Sequence, residues 1–297
     1  MKNVITGVCR TKYNNLIKGE VNEMNEPILR VDNMTKRFGS TVALDQVSLT
    51  VYPGEIRGLI GENGSGKSTV TSIVAGMQKC DEGSMTFKEK EWHPASMIDA
   101  LHHGIGMIVQ ESGTIPGITV AENIFLGETD QFKNKLGFIN KKKMNQAATK
   151  VMERIGVTHV TGGMPMYLLD FQERKLVEIA KVVMKEPKIL VIDETSTALS
   201  HDGRDILYRI MKQFREEKKS VIFISHDLDE IMEVCDTLTV LRDGKIIRTF
   251  DKAEFEATAI RASMIGRELE GDYYRSDFVA SKEESVALEV KDLVLGD

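Results

Sequence analysis

Apolar and polar positions switch between two periods along the chain. Ile28 to Met34 and Ala43 to Val51 alternate singly, separated by Phe38-Gly39 and closed by Pro53-Gly54, which predicts two antiparallel strands. Met85 to Phe87 predicts another strand, after a turn at Asp81 to Ser84. Compact apolar runs at Ile56–Ile60, Ile105–Val109, Ile189–Ile192 and Val221–Ile224 predict buried strands. Helical segments are predicted at Val70–Met77, Pro94–His103, Thr119–Leu126, Lys141–Ile155, Leu168–Met184 and Gly203–Glu217. In Lys141–Ile155, the residues Met144, Ala147, Ala148, Val151, Met152 and Ile155 share one apolar face. Leu238–Leu241 and Ile246–Phe250 flank Asp243-Gly244, a hairpin signal. The pattern predicts an α/β fold with a mostly parallel sheet core, a small antiparallel β subdomain and a helical insertion over about 111–180.

One join between strand and helix carries chemistry. Gly61-Glu62-Asn63-Gly64-Ser65-Gly66-Lys67-Ser68-Thr69 fits G-x-x-x-x-G-K-[ST], the phosphate-binding loop, and it has the strand before it and the helix after it that the motif requires. The glycines let successive N–H groups point at phosphate oxygens, and the helix N-terminus adds partial positive charge. Lys67 can reach the β- and γ-phosphates, and the Ser68 hydroxyl can ligate Mg²⁺.

Three further strands end in polar residues, at the edge where an α/β sheet binds ligands. Ile105–Val109 ends at Gln110, Ile189–Ile192 at Asp193-Glu194, and Val221–Ile224 at Ser225-His226-Asp227. With a phosphate loop present, Asp193 can hold the Mg²⁺ shell and Glu194 can orient the attacking water. Phe38 is either a packing residue on its sheet or an aromatic platform for a flat base. His102 and His103 diverge by about 100° on a helix, so they cannot share a ligand and read as surface residues. Lys141-Lys142-Lys143 reads as a solvated helix start. Trp92, the only tryptophan, has no functional reading.

Bulk properties narrow the class. A chain of 297 residues, 41% hydrophobic, suits one large domain or two small ones. With 39 Lys and Arg against 45 Asp and Glu the net charge is −6, which argues against a nucleic-acid partner. Cys9, Cys80 and Cys235 lie far apart, as ordinary thiols of a reducing compartment. No run of 18 apolar residues offers a membrane span, and residues 1–26 lack the apolar stretch of a secretory signal. A cytosolic location is expected. Residues 1–26 read as a disordered arm, or as an upstream extension of a chain starting at Met24.

The order Phe38, Gly61 to Thr69, Gln110, helical insertion, Asp193-Glu194 and His226 resembles the ATP-binding cassette (ABC) ATPase over residues 28 to about 265. The resemblance implies a P-loop NTPase fold, ATP and Mg²⁺ as ligands, and one cassette over 27–265. It implies that Phe38 stacks adenine, Gln110 contacts Mg²⁺ and the subunit interface, Glu194 is the catalytic carboxylate, and His226 contacts the γ-phosphate. Thr119 to Gly127, Val177 to Lys181 and Met264 to Leu269 are similar to the tandem ATPases of bacterial sugar importers. That implies a second cassette, transmembrane permease subunits and, indirectly, an extracytoplasmic solute-binding protein as partners. The location implied is cytoplasmic, peripheral on the inner face of the cell membrane. The alternative is a nucleotide-binding regulatory module with little ATPase activity, against which the retained Glu194 speaks. A cassette acting on nucleic acid or ribosomes is disfavoured by the acidic balance.

Two features depart from a simple cassette. Where the family carries Leu-Ser-Gly-Gly-Gln, this chain has Leu169-Asp170-Phe171-Gln172-Glu173, and Thr195 stands where a proline is usual. Asp170 puts a carboxylate where donors for an anion are needed. Cassettes of the family bind ATP head to tail, each site pairing one phosphate loop with the other subunit's signature. The expectation is an asymmetric pair, in which the Lys67/Glu194/His226 site hydrolyses and the opposite site does not. The second feature is an internal echo: Leu29 to Met34 resembles Leu288 to Leu293. It predicts that 266–297 is a linker and the start of a second, truncated cassette.

Overall fold

The computed structural model describes residues 26–110 and 113–265. Most of the expected N-terminal arm, Cys9, the segment Gly266 to Leu269 and the Leu288 to Leu293 echo lie outside the described residues.

The singly alternating strands open the chain, as β1 (Leu29–Phe38) and β2 (Thr41–Val51). They pair antiparallel and join β4 (Glu82–Phe87) and β5 (Lys90–Glu91) in a four-stranded sheet ordered β2-β1-β4-β5. The turn expected at Asp81–Ser84 is shorter, because Glu82 already pairs with Thr35. Asp81 closes that turn: its carboxylate accepts from the Arg37 N–H at 2.6 Å and from Lys36 Nζ at 3.0 Å.

The compact apolar runs form the main sheet. Its strands are β3 (Ile56–Ile60), β6 (Ile105–Ile108), β7 (Ile189–Asp193), β8 (Ser220–Ile224), β9 (Thr237–Arg242) and β10 (Lys245–Asp251), ordered β10-β9-β3-β8-β7-β6. All pairs are parallel except the β9–β10 hairpin at the edge. Its turn carries Asp243 at φ 51° and Gly244 at φ 74°, as a two-residue hairpin demands. Parallel strands are covered on both faces, which explains their unbroken hydrophobicity. Along β7, Leu190 and Ile192 pack into one core and Ile189 and Val191 into the other.

Eight described helices surround the sheets: α1 (Lys67–Val74), α2 (Met97–His103), α3 (Val120–Ile124), α4 (Lys141–Arg154), α5 (Phe171–Val183), α6 (His201–Glu216), α7 (Leu228–Val234) and α8 (Ala257–Ile265). Capping decides several starts that periodicity misplaces. The helix expected from Leu168 begins at Phe171, because Asp170 caps it and Met166–Leu168 forms a separate turn. Ser200 caps α6, so that helix starts before Gly203. Thr119 and Glu122 form a capping box on α3, which is shorter than expected. Met144, Ala148 and Met152 of α4 are buried, as their spacing predicts. His102 and His103 are exposed, and Trp92 is a core residue whose Nε1–H donates to the Val74 carbonyl at 2.9 Å. No helix among the described residues is long and apolar enough to cross a membrane.

Candidate functional site

The C-terminal ends of β3, β6, β7 and β8 lie side by side because those strands are parallel. Any polar residue just past each end faces the same edge. An open cleft of about 510 Å³ lies there. Its walls include Asn63 to Thr69, Gln110 and Glu194, with Phe38, Thr41, Val42 and Ala43 from the antiparallel sheet. The sequence does not mark the last three as site residues. Thr41 and Val42 are both exposed at the start of β2, before Leu44 turns in.

The loop between β3 and α1 is a backbone cradle with no room for a side chain at Gly61 or Gly66. A Cβ on Gly61 would lie 2.1 Å from the Leu241 carbonyl oxygen. Gly66, at φ 104°, is in the left-handed region, and a Cβ there would lie 2.8 Å from the Ala43 carbonyl oxygen. Gly66 occupies the N-cap of α1 with no side-chain cap, so the N–H groups of the first turn keep no side-chain acceptor. Ser65 Oγ is buried and makes no hydrogen bond among the described residues. Lys67 is buried, and its Nζ donates to the Gly61 carbonyl at 2.9 Å and the Glu62 carbonyl at 3.1 Å. Burial lowers the pKa of this amine, while Glu194 and Asp193 oppose the shift. Orphan donors, an uncapped helix N-terminus and a buried cation together fit a polyphosphate.

Acidic residues face this cradle from β7. Ser68 Oγ donates to Asp193 Oδ1 at 3.1 Å. The carboxylate of Asp193 is buried, and burial is the main reason its pKa is raised. A hydroxyl beside a carboxylate is an oxygen pair suited to Mg²⁺, whose remaining positions water and phosphate would fill. Glu194 has φ 43° and ψ 29°, a left-handed conformation that costs a non-glycine residue about 1–2 kcal/mol. Its N–H donates to the Ile224 carbonyl at 3.1 Å, which pins the strained residue against β8. Its carboxylate accepts from Gln110 Nε2 at 3.1 Å.

The other expected residues differ in how they stand to this group. Phe38, 49% exposed, ends β1 at the cleft rim, and Lys36 Nζ lies 5.4 Å from its ring centroid. His226 is exposed in the loop after β8, next to β7, but does not line the cleft. Gly61 and Glu62 serve through their backbone, as packing surface and carbonyl acceptor. Leu169 is buried, whereas Phe171 is 59% exposed at the start of α5. Asp170 accepts from the Glu173 N–H at 2.7 Å, and Glu173 accepts from the Asp170 N–H at 2.9 Å. Gln172 accepts from the Ser200 N–H at 2.8 Å.

The raised pKa of Asp193 has a testable consequence. The folded chain holds that proton more tightly than the unfolded chain, so the ionised carboxylate subtracts stability above the folded pKa. Asp193→Asn is therefore expected to raise the melting temperature of the nucleotide-free protein at pH 8. Calorimetric melting of both proteins checks this.

Comparison with known proteins gives the family and the fold. The "Arabinose import ATP-binding protein AraG 2" of Burkholderia cenocepacia (strain HI2424) is 37% identical over 252 residues, covering 84% of this chain and 48% of that protein. The "Ribose import ATP-binding protein RbsA" of Caldanaerobacter subterraneus subsp. tengcongensis is 38% identical over 244 residues, covering 82% of this chain and 49% of that protein. The chain thus spans about half the length of these relatives. The ADP conformation of MJ1267, an ATP-binding cassette of an ABC transporter, aligns with a TM-score of 0.69 at 27% identity, over 82% of this chain and all of that one. A nucleotide-free cassette from an ABC transporter aligns with a TM-score of 0.67 at 28% identity, over 82% of this chain and 96% of that one. Residues 44–197, just over half of the chain, match the family model described as ABC transporter, and the chain belongs to that family.

Proposed function

We propose that this chain is an ATP-binding and hydrolysing cassette of an importer, with a sugar as its solute. The observation that carries the reading is the convergence of Lys67, the Ser68–Asp193 pair and the Gln110–Glu194 pair on one cleft. The arabinose and ribose import names of its relatives support a sugar. The cassette occupies 27–265, with 111–180 as its helical subdomain. The partners are a second cassette, permease subunits and, indirectly, a solute-binding protein, with the chain peripheral on the inner face of the membrane.

In this reading the loop N–H groups and Lys67 hold the β- and γ-phosphates, and Phe38 stacks on adenine. Ser68, Asp193 and Gln110 hold Mg²⁺, which neutralises charge developing on the phosphate oxygens. Glu194 accepts the proton of the attacking water, and His226 closes on the γ-phosphate.

Two cassettes share their sites head to tail, and this chain's signature helix is a poor donor. Asp170 and Glu173 cap the N-terminus of α5 from within, so a carboxylate already occupies the place an anion would take. The exposed Phe171 adds bulk there. The site around Lys67 is then the productive one, completed by the partner's signature, and the opposite site holds nucleotide without turnover. Lys67→Ala and the matching lysine change in the second cassette test this. Transport is expected to fall by at least about tenfold for the first and less than about twofold for the second. Equal losses would count against asymmetry.

A further inference from the structure

A buried carboxylate outside the cleft links two of its loops. Glu230, in the first half of α7, is buried and accepts hydrogens from three hydroxyls on three segments. Ser225 Oγ lies 2.5 Å away and Ser196 Oγ 2.9 Å away, and the phenol of Tyr208 on α6 is the third donor. Ser196 is buried in the turn Thr195–Ala198, two residues after Glu194. Ser225 is buried immediately before His226.

The hydrogen directions follow from valence. Each serine hydroxyl has one hydrogen, and Glu230 has none to give when ionised. Ser225 Oγ therefore donates to Glu230, which leaves its lone pairs to accept the Asp227 N–H at 3.0 Å. Burial and the bond to Glu230 push the Tyr208 hydroxyl well above its usual range, which keeps it a donor. None of these three donors is a cation. A buried carboxylate held by neutral donors is a poor device for stability, since an apolar residue of that size would serve better. It is a good device for fixing geometry, because breaking any spoke leaves a buried charge under-satisfied.

The two loops it joins are already neighbours. Asp193 pairs with Ile224, and the Glu194 N–H donates to the Ile224 carbonyl at 3.1 Å. The contact between Glu230, Ser196 and Ser225 continues that link past the strand ends. We infer that Glu230 is a positioning residue that locks the Glu194 loop to the His226 loop, so that both side chains reach the end of the phosphate chain as one unit. The inference rests on the roles given to Glu194 and His226 above.

Amide hydrogen exchange of the MgATP-bound chain tests the link without needing turnover. Ser196→Ala is expected to speed exchange in residues 225–230 by at least about threefold while leaving 61–69 unchanged, and Ser225→Ala is expected to do the same to residues 194–199. Loosening confined to the mutated loop would overturn the lock. Glu230→Gln keeps shape but loses an acceptor. In the hydrolysing assembly it is expected to lower kcat about tenfold or more with KM within about threefold. An equal loss in KM, or no loss in kcat, would make Glu230 a packing residue. Should that variant not fold, the two serine variants carry the same test. If the wild-type chain fails to bind MgATP, the nucleotide reading falls. Exchange of the nucleotide-free serine variants then decides the lock by the same criterion.

Discussion

Replacing Lys67 by alanine is expected to weaken MgATP binding by roughly 30- to 150-fold, the loss of a charge-assisted contact of about 2–3 kcal/mol. Nζ is already aimed, held by the Gly61 and Glu62 carbonyls, so ATP gains it without ordering a long side chain. Its charge is also the counterweight to Asp193 and Glu194. Without it, the triphosphate meets two carboxylates across the cleft and no side-chain cation from the loop. Two carbonyls also lose their donor, so the nucleotide-free protein is expected to melt slightly earlier. Calorimetric titration of both proteins at one Mg²⁺ concentration measures the effect. Equal affinities would mean that nucleotide binds elsewhere.

Glu194→Gln separates binding from chemistry. Glutamine has the same shape, and its carbonyl can still accept from Gln110 Nε2, but it cannot take a proton from water. With Glu194 as the proposed general base, its loss is expected to lower hydrolysis by about 10²- to 10⁴-fold. Affinity for MgATP is expected to stay within about threefold, since removing a negative charge from a polyphosphate site does not weaken it. The strained backbone of residue 194 is held by its N–H bond to Ile224, which the substitution leaves intact. Phosphate release and nucleotide titration on the same preparation distinguish the two effects.

Much of this site is legible in the sequence. Gly61 to Thr69 is legible because phosphate binding by backbone demands glycine at fixed offsets. Gln110, Asp193 and Glu194 are legible because each follows an apolar run, and parallel strands put such ends on one edge. The elements were legible in type and less so at their starts, where short polar residues compete with periodicity. Asp170 shows this: in sequence it reads only as a departure from the family's signature, and in the fold it caps α5.

What the pattern hides is burial of charge. Glu230 sits among Asp227, Asp229 and Glu233 and reads as one of several exposed acids on a short helix. Lys175 reads as a surface lysine, yet its Nζ is buried against the Val109 carbonyl at 2.8 Å and Glu178 Oε2 at 2.9 Å. Thr41, Val42 and Ala43 join the cleft only because the antiparallel sheet leans over the phosphate loop, a tertiary fact with no local signal.

The most direct test of a composite site is phosphate release at saturating MgATP, with and without a second cassette that supplies an intact signature. The account predicts slow turnover by this chain alone. It predicts at least about a tenfold increase on pairing, as donors reach the γ-phosphate, and loss of that increase with Glu194→Gln. Rapid hydrolysis by the chain alone, unchanged by the partner, would contradict it.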